Sequence, residues 1–192
     1  MDTAALKTLR GLAAAENDAQ VAARTRAKDV TSPPPPEVGA FLSWLAATAE
    51  ARHVVEVGTA GGVTGLWLLR GMAERGVLTS IESDNAIHGV TTESFEHARV
   101  TDQVRSIAGD PLEVLPRLSD DGYELCVMHT YQAATPALLQ HARRLLKTGG
   151  LLVVLGLNED ALHAFVDLVD ENDDVIGAAL PFGGGVGVAT LG

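Results

Sequence analysis

The sequence is short of basic residues, with 14 lysines and arginines against 25 aspartates and glutamates and a formal net charge of −11. Proteins that bind nucleic acids present basic surfaces that neutralise phosphates, so this balance argues against a nucleic-acid partner. It argues more weakly against an anionic membrane surface or a polyphosphate substrate. A neutral or cationic small molecule is compatible with the charge.

The chain also has little cysteine and no long apolar run. Its one cysteine, Cys126, cannot form an internal disulfide, which fits a reducing compartment. No stretch reaches the roughly 18 apolar residues of a membrane span. The first residues, MDTAALKTLRGL, carry no apolar signal region. We therefore expect a cytoplasmic protein without membrane contact, and 192 residues that are 46% apolar suit a single domain over 1–192.

Residues 1–50 predict a helical extension at the N-terminus. Residues 3–28 are rich in alanine with charges interspersed, a composition typical of one or two helices. The prolines at 33–36 cannot continue a helix and favour an extended segment. This segment is either a rigid spacer or a spacer that also lines a site. Apolar residues at helical spacing follow in EVGAFLSWLAATAEA, which predicts an amphipathic helix.

From residue 53 onward, predicted strands and helices alternate. The strands are HVVEVG, VLTSIES, QVRSIAG, YELCVMH, LLVVLG, DVIGAAL and VGVATLG. The helices are GVTGLWLLRGMAE, NAIHGVTTESFEHA, DPLEVLPRL, TPALLQHARRLLKTGG and NEDALHAFVDLVDE. NAIHGVTTESFEHA is predicted to be a poor helix because it contains Gly89 and β-branched residues. Near-continuous apolar strands between helices predict an α/β fold with a mostly parallel sheet, closed by an antiparallel hairpin around PFGGG.

The stretch VVEVGTAGGVTG predicts a ligand-binding loop between the first strand and a helix. Its glycines permit a tight turn and close approach of a ligand to backbone N–H groups. Ala60 occupies the middle glycine position of the dinucleotide fingerprint G-x-G-x-x-G, which disfavours a nicotinamide dehydrogenase. The lysine that a phosphate-binding P-loop requires is also missing.

Two acids accompany this loop. Glu56 lies inside the apolar first strand, where a buried carboxylate is costly unless it is paired. A cationic or hydrogen-bond-donating ligand, such as an amino-acid ammonium group, would pair it. Glu82 ends the second strand, where an acid commonly binds ribose hydroxyls. Because ligands bind at the carboxyl ends of strands in open α/β sheets, both acids mark a candidate site.

These features together resemble the class I S-adenosyl-L-methionine (SAM)-dependent methyltransferases, and more narrowly the bacterial relatives of catechol and caffeoyl-CoA O-methyltransferases. The resemblance runs from about residue 30 to the end and rests on EVGTAGGVTGLWLLRGM, GVLTSIE, GDPLEVLPRL, YELCVMH and LLKTGGLLVV. It implies a Rossmann-like fold with a mostly parallel seven-stranded sheet, a C-terminal antiparallel hairpin and N-terminal helices. It also implies SAM as cofactor, a small-molecule hydroxyl acceptor and a homodimer.

The resemblance further implies a cofactor site drawn from several segments. Its residues are a cofactor loop with the following helix start (Glu56, Gly58, Thr59, Thr64), a ribose-binding acid (Glu82), two residues by the adenine (Gly109, Asp110) and one residue over the cofactor (Pro34). Taken alone, the glycines also fit a plain strand–helix turn, and Glu82 also fits a solvated strand end. Likewise Asp110 fits a helix cap, and Thr64 fits a surface threonine.

The family's metal ligands are absent from the sequence. The resemblance places His129 where the family has an aspartate, and Leu155 and Gly156 where it has an Asp-Asn pair. Gln132 stands where the family has a lysine that assists proton transfer. Because Mg²⁺ and Ca²⁺ need several oxygen ligands, we expect no metal ion. The segment after the fifth strand is also short, so the acceptor site is expected to be altered or more open.

His129, at the end of YELCVMH, therefore has three interpretations. It is a general base for metal-independent transfer, since an unperturbed pKa of about 6.5 suits that role. Alternatively it lines a pocket without moving a proton, or it is a hydrogen-bonded residue of an inactive relative. Tyr131 fits either an acceptor-pocket wall or a surface position, and Cys126 is expected to be buried and inert.

Two functional hypotheses follow. The first is a SAM-dependent O-methyltransferase of a small hydroxylated molecule, acting without metal, with His129 as the candidate catalytic residue. The second is a catalytically inactive protein that binds SAM or S-adenosylhomocysteine (SAH) and has a regulatory or scaffolding role.

Overall fold

The computed structural model describes residues 11, 15–129 and 136–192, and these form a seven-stranded sheet with helices packed against it. The strands are β1 (His53–Val57), β2 (Val77–Glu82), β3 (Val104–Ala108), β4 (Tyr123–His129), β5 (Leu146–Leu155), β6 (Val175–Leu180) and β7 (Val186–Leu191). Their order is β3-β2-β1-β4-β5-β7-β6, with β1 to β5 parallel and β7 antiparallel to both neighbours. The predicted α/β sheet with its C-terminal hairpin is confirmed.

The described helices follow the predicted order along the chain. They are α1 (Asp18–Ala27), α2 (Pro36–Thr48), α3 (Val63–Gly71), α4 (Asn85–Ala98), α5 (Pro111–Val114), α6 (Pro136–Leu145) and α7 (Glu159–Asp170). Pro35 is extended and Pro36 begins α2, a position where the missing proline N–H is no loss. Of the predicted helical stretch 3–28, residues 3–10 and 12–14 lie outside the described residues. Within the described part of the chain, no helix has the length and apolar character needed to cross a bilayer.

The helix predicted at NAIHGVTTESFEHA is confirmed, because α4 runs through all 14 of these residues despite their weak helix propensity. The Asp84 carboxylate caps the helix by accepting from the backbone N–H groups of Ala86 and Ile87. The Thr91 hydroxyl donates to the Ile87 carbonyl at 2.8 Å, so a polar β-branched residue is satisfied within the helix. Burial of Phe95 in the core adds tertiary stabilisation that outweighs the weak intrinsic propensity.

The predicted end of the helix TPALLQHARRLLKTGG is wrong. α6 ends at Leu145, and the chain enters β5 at Leu146 rather than continuing as helix towards the glycines. Leu146 pairs with Tyr123 of β4, and the Lys147 ammonium group pairs with the Glu124 carboxylate. These cross-strand contacts favour the early strand start. The predicted Thr135 cap lies outside the described residues.

Strand alternation sorts the side chains onto the two faces of the sheet. On one face the apolar core includes Val55 and Val57 of β1, with Phe165 of α7. The other face packs Val54 against α1, α2 and α3. Glu56 lies between Val55 and Val57, so its side chain points to the α1–α3 face. Cys126 is buried as predicted, and burial raises the pKa of its thiol to about 12, which leaves it inert.

Candidate active site

The loop after β1 depends on glycines in the left-handed region. Gly58, Gly61 and Gly62 have φ values of 80°, 69° and 85°. A Cβ on Gly61 would lie 2.5 Å from the Ala27 Cβ, because α1 packs directly on the loop. Gly62 caps α3 in the left-handed conformation and brings no side chain to the cap. The loop is therefore a tight turn that opens a helix N-terminus beneath α1.

Glu56 is fully buried, and two protein hydroxyls satisfy it. The Thr64 hydroxyl donates to Oε1, and the Ser80 hydroxyl donates to Oε2 at 2.9 Å. Burial raises the pKa of the Glu56 carboxyl to about 8; the two hydroxyl bonds oppose this rise, and the nearby Glu82 charge adds to it. We expected a ligand to pair with Glu56. In the structure, hydroxyls of the chain itself take that place.

Glu82 lies at the end of β2 against the glycine loop and is also fully buried. Its Oε2 accepts from the backbone N–H and the hydroxyl of Thr59, both at 3.1 Å. Its Oε1 accepts from the backbone N–H of Asp84 at 3.0 Å. The alternative of a solvated strand end is therefore wrong.

His129 ends β4 on the same face of the sheet and is 3% exposed. Its Nε2 lies 3.3 Å from the Thr64 hydroxyl oxygen and 4.0 Å from Glu56 Oε1. Burial lowers the pKa of the imidazole to about 4, since an apolar environment disfavours the charged ring. The ring is therefore neutral at pH 7, with one nitrogen able to accept a proton. Thr64 is fully buried, so its alternative as a surface threonine is wrong.

The remaining predicted residues are joined less closely to this network. The Gly109 N–H donates to the Glu82 carbonyl at 2.9 Å, so the end of β3 lies beside the end of β2. Asp110 is exposed, and its carboxylate accepts from the Leu112 N–H at 2.8 Å as a helix cap. The Pro34 carbonyl accepts from the Arg24 guanidinium at 2.9 Å.

Two buried hydroxyl residues of the network were not predicted. Ser80 bonds Glu56, and the Thr91 hydroxyl lies 2.6 Å from the Thr59 hydroxyl. The sequence carries a signal for Ser80, because it precedes Glu82 by two residues in VLTSIE and so shares its face. Thr91 has no comparable signal, since it reaches the loop only through the packing of α4.

The positions of the family's metal ligands do come together in space, but their side chains do not fit a hard cation. His129 lies opposite Leu155 in the β4–β5 register, and Leu155 is buried and apolar. The Gly156 N–H donates to the Gly185 carbonyl at 2.8 Å, so the β6–β7 loop packs over this strand end. One imidazole, a leucine and a glycine cannot replace several oxygens.

Gln132 and Tyr131 lie outside the described residues. Over 15–129 and 136–192, no group of three or more His, Cys, Asp or Glu side chains is placed to hold a metal.

Comparison with known proteins agrees with this architecture. A sequence profile of the O-methyltransferase family matches residues 15–174. A Mycobacteroides abscessus protein whose name places it among the O-methyltransferases is 43% identical over 146 residues, covering 75% of this chain and 68% of that protein. A similarly named Mycobacterium sp. (strain JLS) protein is 44% identical over 135 residues, covering 69% of this chain and 61% of that protein.

Solved structures share the fold. An O-methyltransferase from Bacillus cereus, solved in complex with SAH, superposes with a TM-score of 0.85 at 20% identity, over 99% of this chain and 98% of that chain. At this identity the match concerns the fold, and it confirms the predicted Rossmann-like methyltransferase architecture. Profile, relatives and fold agree, and this chain belongs to the O-methyltransferase family.

Proposed function

We propose that the protein transfers a methyl group from SAM to a hydroxyl of a small acceptor, without a divalent cation. The observation that carries this proposal is the buried polar network at the carboxyl ends of β1, β2 and β4. It combines an acid against a glycine loop, Glu82, with a neutral imidazole, His129, at a position where the family uses a metal-binding aspartate.

The residues of the network fit SAM in their chemistry. Glu82 presents a carboxylate for ribose hydroxyls, with Gly109 beside it. Gly58 and Thr59 supply the loop, and the α3 N-terminus at Thr64 favours an anionic group such as the carboxylate of an amino acid. Glu56 lies in the sheet and is bonded to Thr64. Pro34 and Asp110 are proposed to contact the cofactor from outside this network. SAM, when bound, supplies an electrophilic methyl group.

His129 is proposed to accept the proton of the acceptor hydroxyl. Burial holds the pKa of the imidazole near 4, so the ring is neutral at pH 7 but is a weaker base than an unperturbed histidine. The acceptor hydroxyl would gain nucleophilicity as its proton moves to the ring. Orientation of the acceptor then contributes the rest of the rate, since no Lewis acid is available from this donor set.

Calorimetric titration with SAM and SAH tests the cofactor half of the proposal. We expect both ligands to bind the wild-type chain, and Glu82→Gln to weaken both by at least tenfold, because ribose hydroxyls lose a charged acceptor. Asp120→Asn is the matched control, since Asp120 pairs with Arg144 away from the network. The control should bind as the wild type does; absence of SAM and SAH binding to the wild type would refute the proposal.

A screen of catechols, phenols and other hydroxylated molecules, with and without Mg²⁺, tests the transfer half. Turnover that is independent of Mg²⁺ supports the proposal. Cofactor binding without turnover across the panel would instead favour the second hypothesis, an inactive SAM- or SAH-binding homologue with a regulatory or scaffolding role.

We further propose a cytoplasmic homodimer that does not bind nucleic acid or membranes. The net charge of −11 and the lone buried Cys126 support the cellular setting. The dimer rests on the family resemblance. Light scattering at micromolar concentration measures the assembly directly, and a monomer mass would refute it.

A further inference from the structure

The helix α4 acts on the carboxyl group of Glu82 from two directions. At its start, the backbone N–H of the capping residue Asp84 donates to Glu82 Oε1 at 3.0 Å. Further along the helix, the Thr91 hydroxyl oxygen lies 2.6 Å from that of Thr59. The hydroxyl and the backbone N–H of Thr59 both donate to Glu82 Oε2 at 3.1 Å. One helix is therefore connected to both oxygens of this acid.

The contact between α4 and the glycine loop is close. Thr59, Glu82 and Thr91 are fully buried. A Cβ added to Gly62 would lie 3.0 Å from the Cβ of Ser94, which follows Thr91 by three residues on α4. Because dense packing leaves the helix little room to shift against the loop, the Thr91 side chain is held beside Thr59.

We propose that Thr91 is a positioning residue for Glu82, which it holds through the Thr59 hydroxyl in the orientation that a ribose diol requires. This inference rests on the proposed function, because it takes Glu82 as the ribose-binding acid. Thr91 does not need to touch the cofactor for this role. A carboxylate that is ordered before the cofactor arrives loses less side-chain entropy on binding.

The protons available to the two hydroxyls support this role. Each hydroxyl carries one proton. When Glu82 is a carboxylate, the Thr59 proton goes to Oε2, because a bond to a charged acceptor is about twice as strong as one between neutral groups. Thr91 is then the donor in its contact with Thr59. The competing acceptor for Thr91 is the Ile87 carbonyl at 2.8 Å, which keeps its backbone bond within α4.

A carboxylate with a fixed plane favours a ligand that has two adjacent hydroxyls. A ribose offers two neighbouring hydroxyl donors, and an acid at the end of the second strand commonly accepts from them. Loss of the Thr91 hydroxyl lets the Thr59 hydroxyl turn away from Oε2, so the carboxylate is oriented less tightly. A ligand without these ribose hydroxyls should be insensitive to that change. This difference separates positioning of Glu82 from a general loosening of the fold.

Calorimetric titration with adenosine and with dideoxyadenosine, which lacks the two adjacent ribose hydroxyls, tests the inference. We expect Thr91→Val to weaken adenosine binding by about three- to tenfold, the size of one net hydrogen bond, and to leave dideoxyadenosine binding within about twofold. Thr91→Ser keeps the hydroxyl and should restore adenosine binding. Thr92→Val is the matched control, because the Thr92 hydroxyl makes the same kind of bond within α4, to the His88 carbonyl at 3.0 Å. This control should bind both nucleosides as the wild type does.

Urea unfolding measures the connection between Thr91 and Glu82 without any ligand. Thr91→Val should raise the equilibrium constant of unfolding by a larger factor in the wild-type background than in Glu82→Gln, since an amide is a weaker acceptor than a carboxylate. Equal factors in the two backgrounds would overturn the inference. So would equal weakening of both nucleosides by Thr91→Val, or adenosine binding that this variant leaves unchanged.

Failure of the proposed function gives a different pattern. In that case the wild type binds neither nucleoside nor SAH, while the unfolding measurements still connect Thr91 to Glu82. Such a result would refute the proposed function and, with it, the role of Thr91 in ribose binding.

Discussion

At the scale of residues, the site is built around two carboxyl groups that have been removed from water. Glu56 and Glu82 are both fully buried on one face of the sheet. Each is stabilised by donors from neighbouring segments, hydroxyls for Glu56 and backbone N–H groups with a hydroxyl for Glu82. A buried acid is costly unless hydrogen-bonded, so these contacts fix the positions of the two carboxyl groups. The cost of burying Glu56 is the reason why pH should affect stability.

The first prediction concerns Glu56→Gln. The pKa of Glu56 is about 8 in the folded chain, against 4.5 ordinarily. Its stabilising contribution is therefore fully present below about pH 4.5 and is lost as pH rises through about 8. The shift corresponds to at most about 5 kcal/mol. Glutamine does not ionise, so between pH 5 and pH 9 the free energy of unfolding of the variant should gain on that of the wild type.

Urea denaturation at a series of pH values measures this difference. Glu124→Gln is the matched control and should show no pH dependence between pH 5 and pH 9. Although partial burial opposes the effect, the lysine partner and backbone donors of Glu124 hold its pKa below the ordinary value, so its contribution changes only at lower pH. A wild-type-minus-variant difference for Glu56 that stays constant with pH would contradict the raised pKa.

The second prediction concerns His129 itself. His129→Ala should lower methyl-transfer turnover by about 10²–10⁴-fold, the range typical of a lost general base. Affinity for SAH should change little, because the predicted ribose contact is Glu82. Single-turnover kinetics and calorimetry measure these two effects separately. A variant that retains full turnover would identify His129 as a pocket-lining residue.

Most residues of this buried network stand out in the sequence, but the bonds between them do not. Glu56, Glu82 and His129 were predicted because each interrupts or ends an apolar strand. The bond from Thr64 to Glu56 was not, since it depends on how α3 lies over β1. For the same reason Thr91, which comes in from α4, could not be assigned.

At the scale of elements, the contact between α1 and the glycine loop connects the N-terminal segment to the site. α1 packs on the loop at Gly61, and Arg24 of α1 donates to the Pro34 carbonyl. Arg24 is also paired with Glu16, with an N–O distance of 2.7 Å. The predicted helix thus contacts both the loop, at Gly61, and the proline segment, at Pro34. The end of α6 and the start of β5 were mispredicted because pairing with β4 outweighs local propensity.

The third prediction compares three glycine-to-alanine substitutions. Gly61→Ala should destabilise the protein by about 2–4 kcal/mol, through left-handed backbone strain and a clash with Ala27. Gly149 has a φ of +75°, and an added Cβ there would meet open space. Gly149→Ala should therefore cost about 1 kcal/mol through backbone strain alone. Gly89→Ala, in α4 with open space, should stabilise by about 0.5–1 kcal/mol.

Thermal and urea unfolding of the three variants give the ranking. Gly61→Ala should lie well below Gly149→Ala, and Gly89→Ala above the wild type. Equal stability of Gly61→Ala and Gly149→Ala would contradict the close packing of α1 against Gly61.

At the scale of the whole molecule, the fold was predictable because it follows from the hydrophobic periodicity of the sequence and from the order of strands and helices along the chain. Five apolar strands separated by helices require a parallel sheet, and PFGGG between two short strands requires a hairpin. The chemistry was less predictable, because the resemblance assigns the family's metal positions to His129, Leu155 and Gly156, which do not suit a hard cation. We therefore propose that this member of the O-methyltransferase family transfers methyl groups without a metal.

The most direct test measures transfer of a labelled methyl group from SAM to the best acceptor, in excess EDTA and in Mg²⁺. We expect rates that agree within about twofold, since the donor set at the ends of β4 and β5 does not suit a hard cation. Activity that EDTA abolishes and Mg²⁺ restores would contradict it.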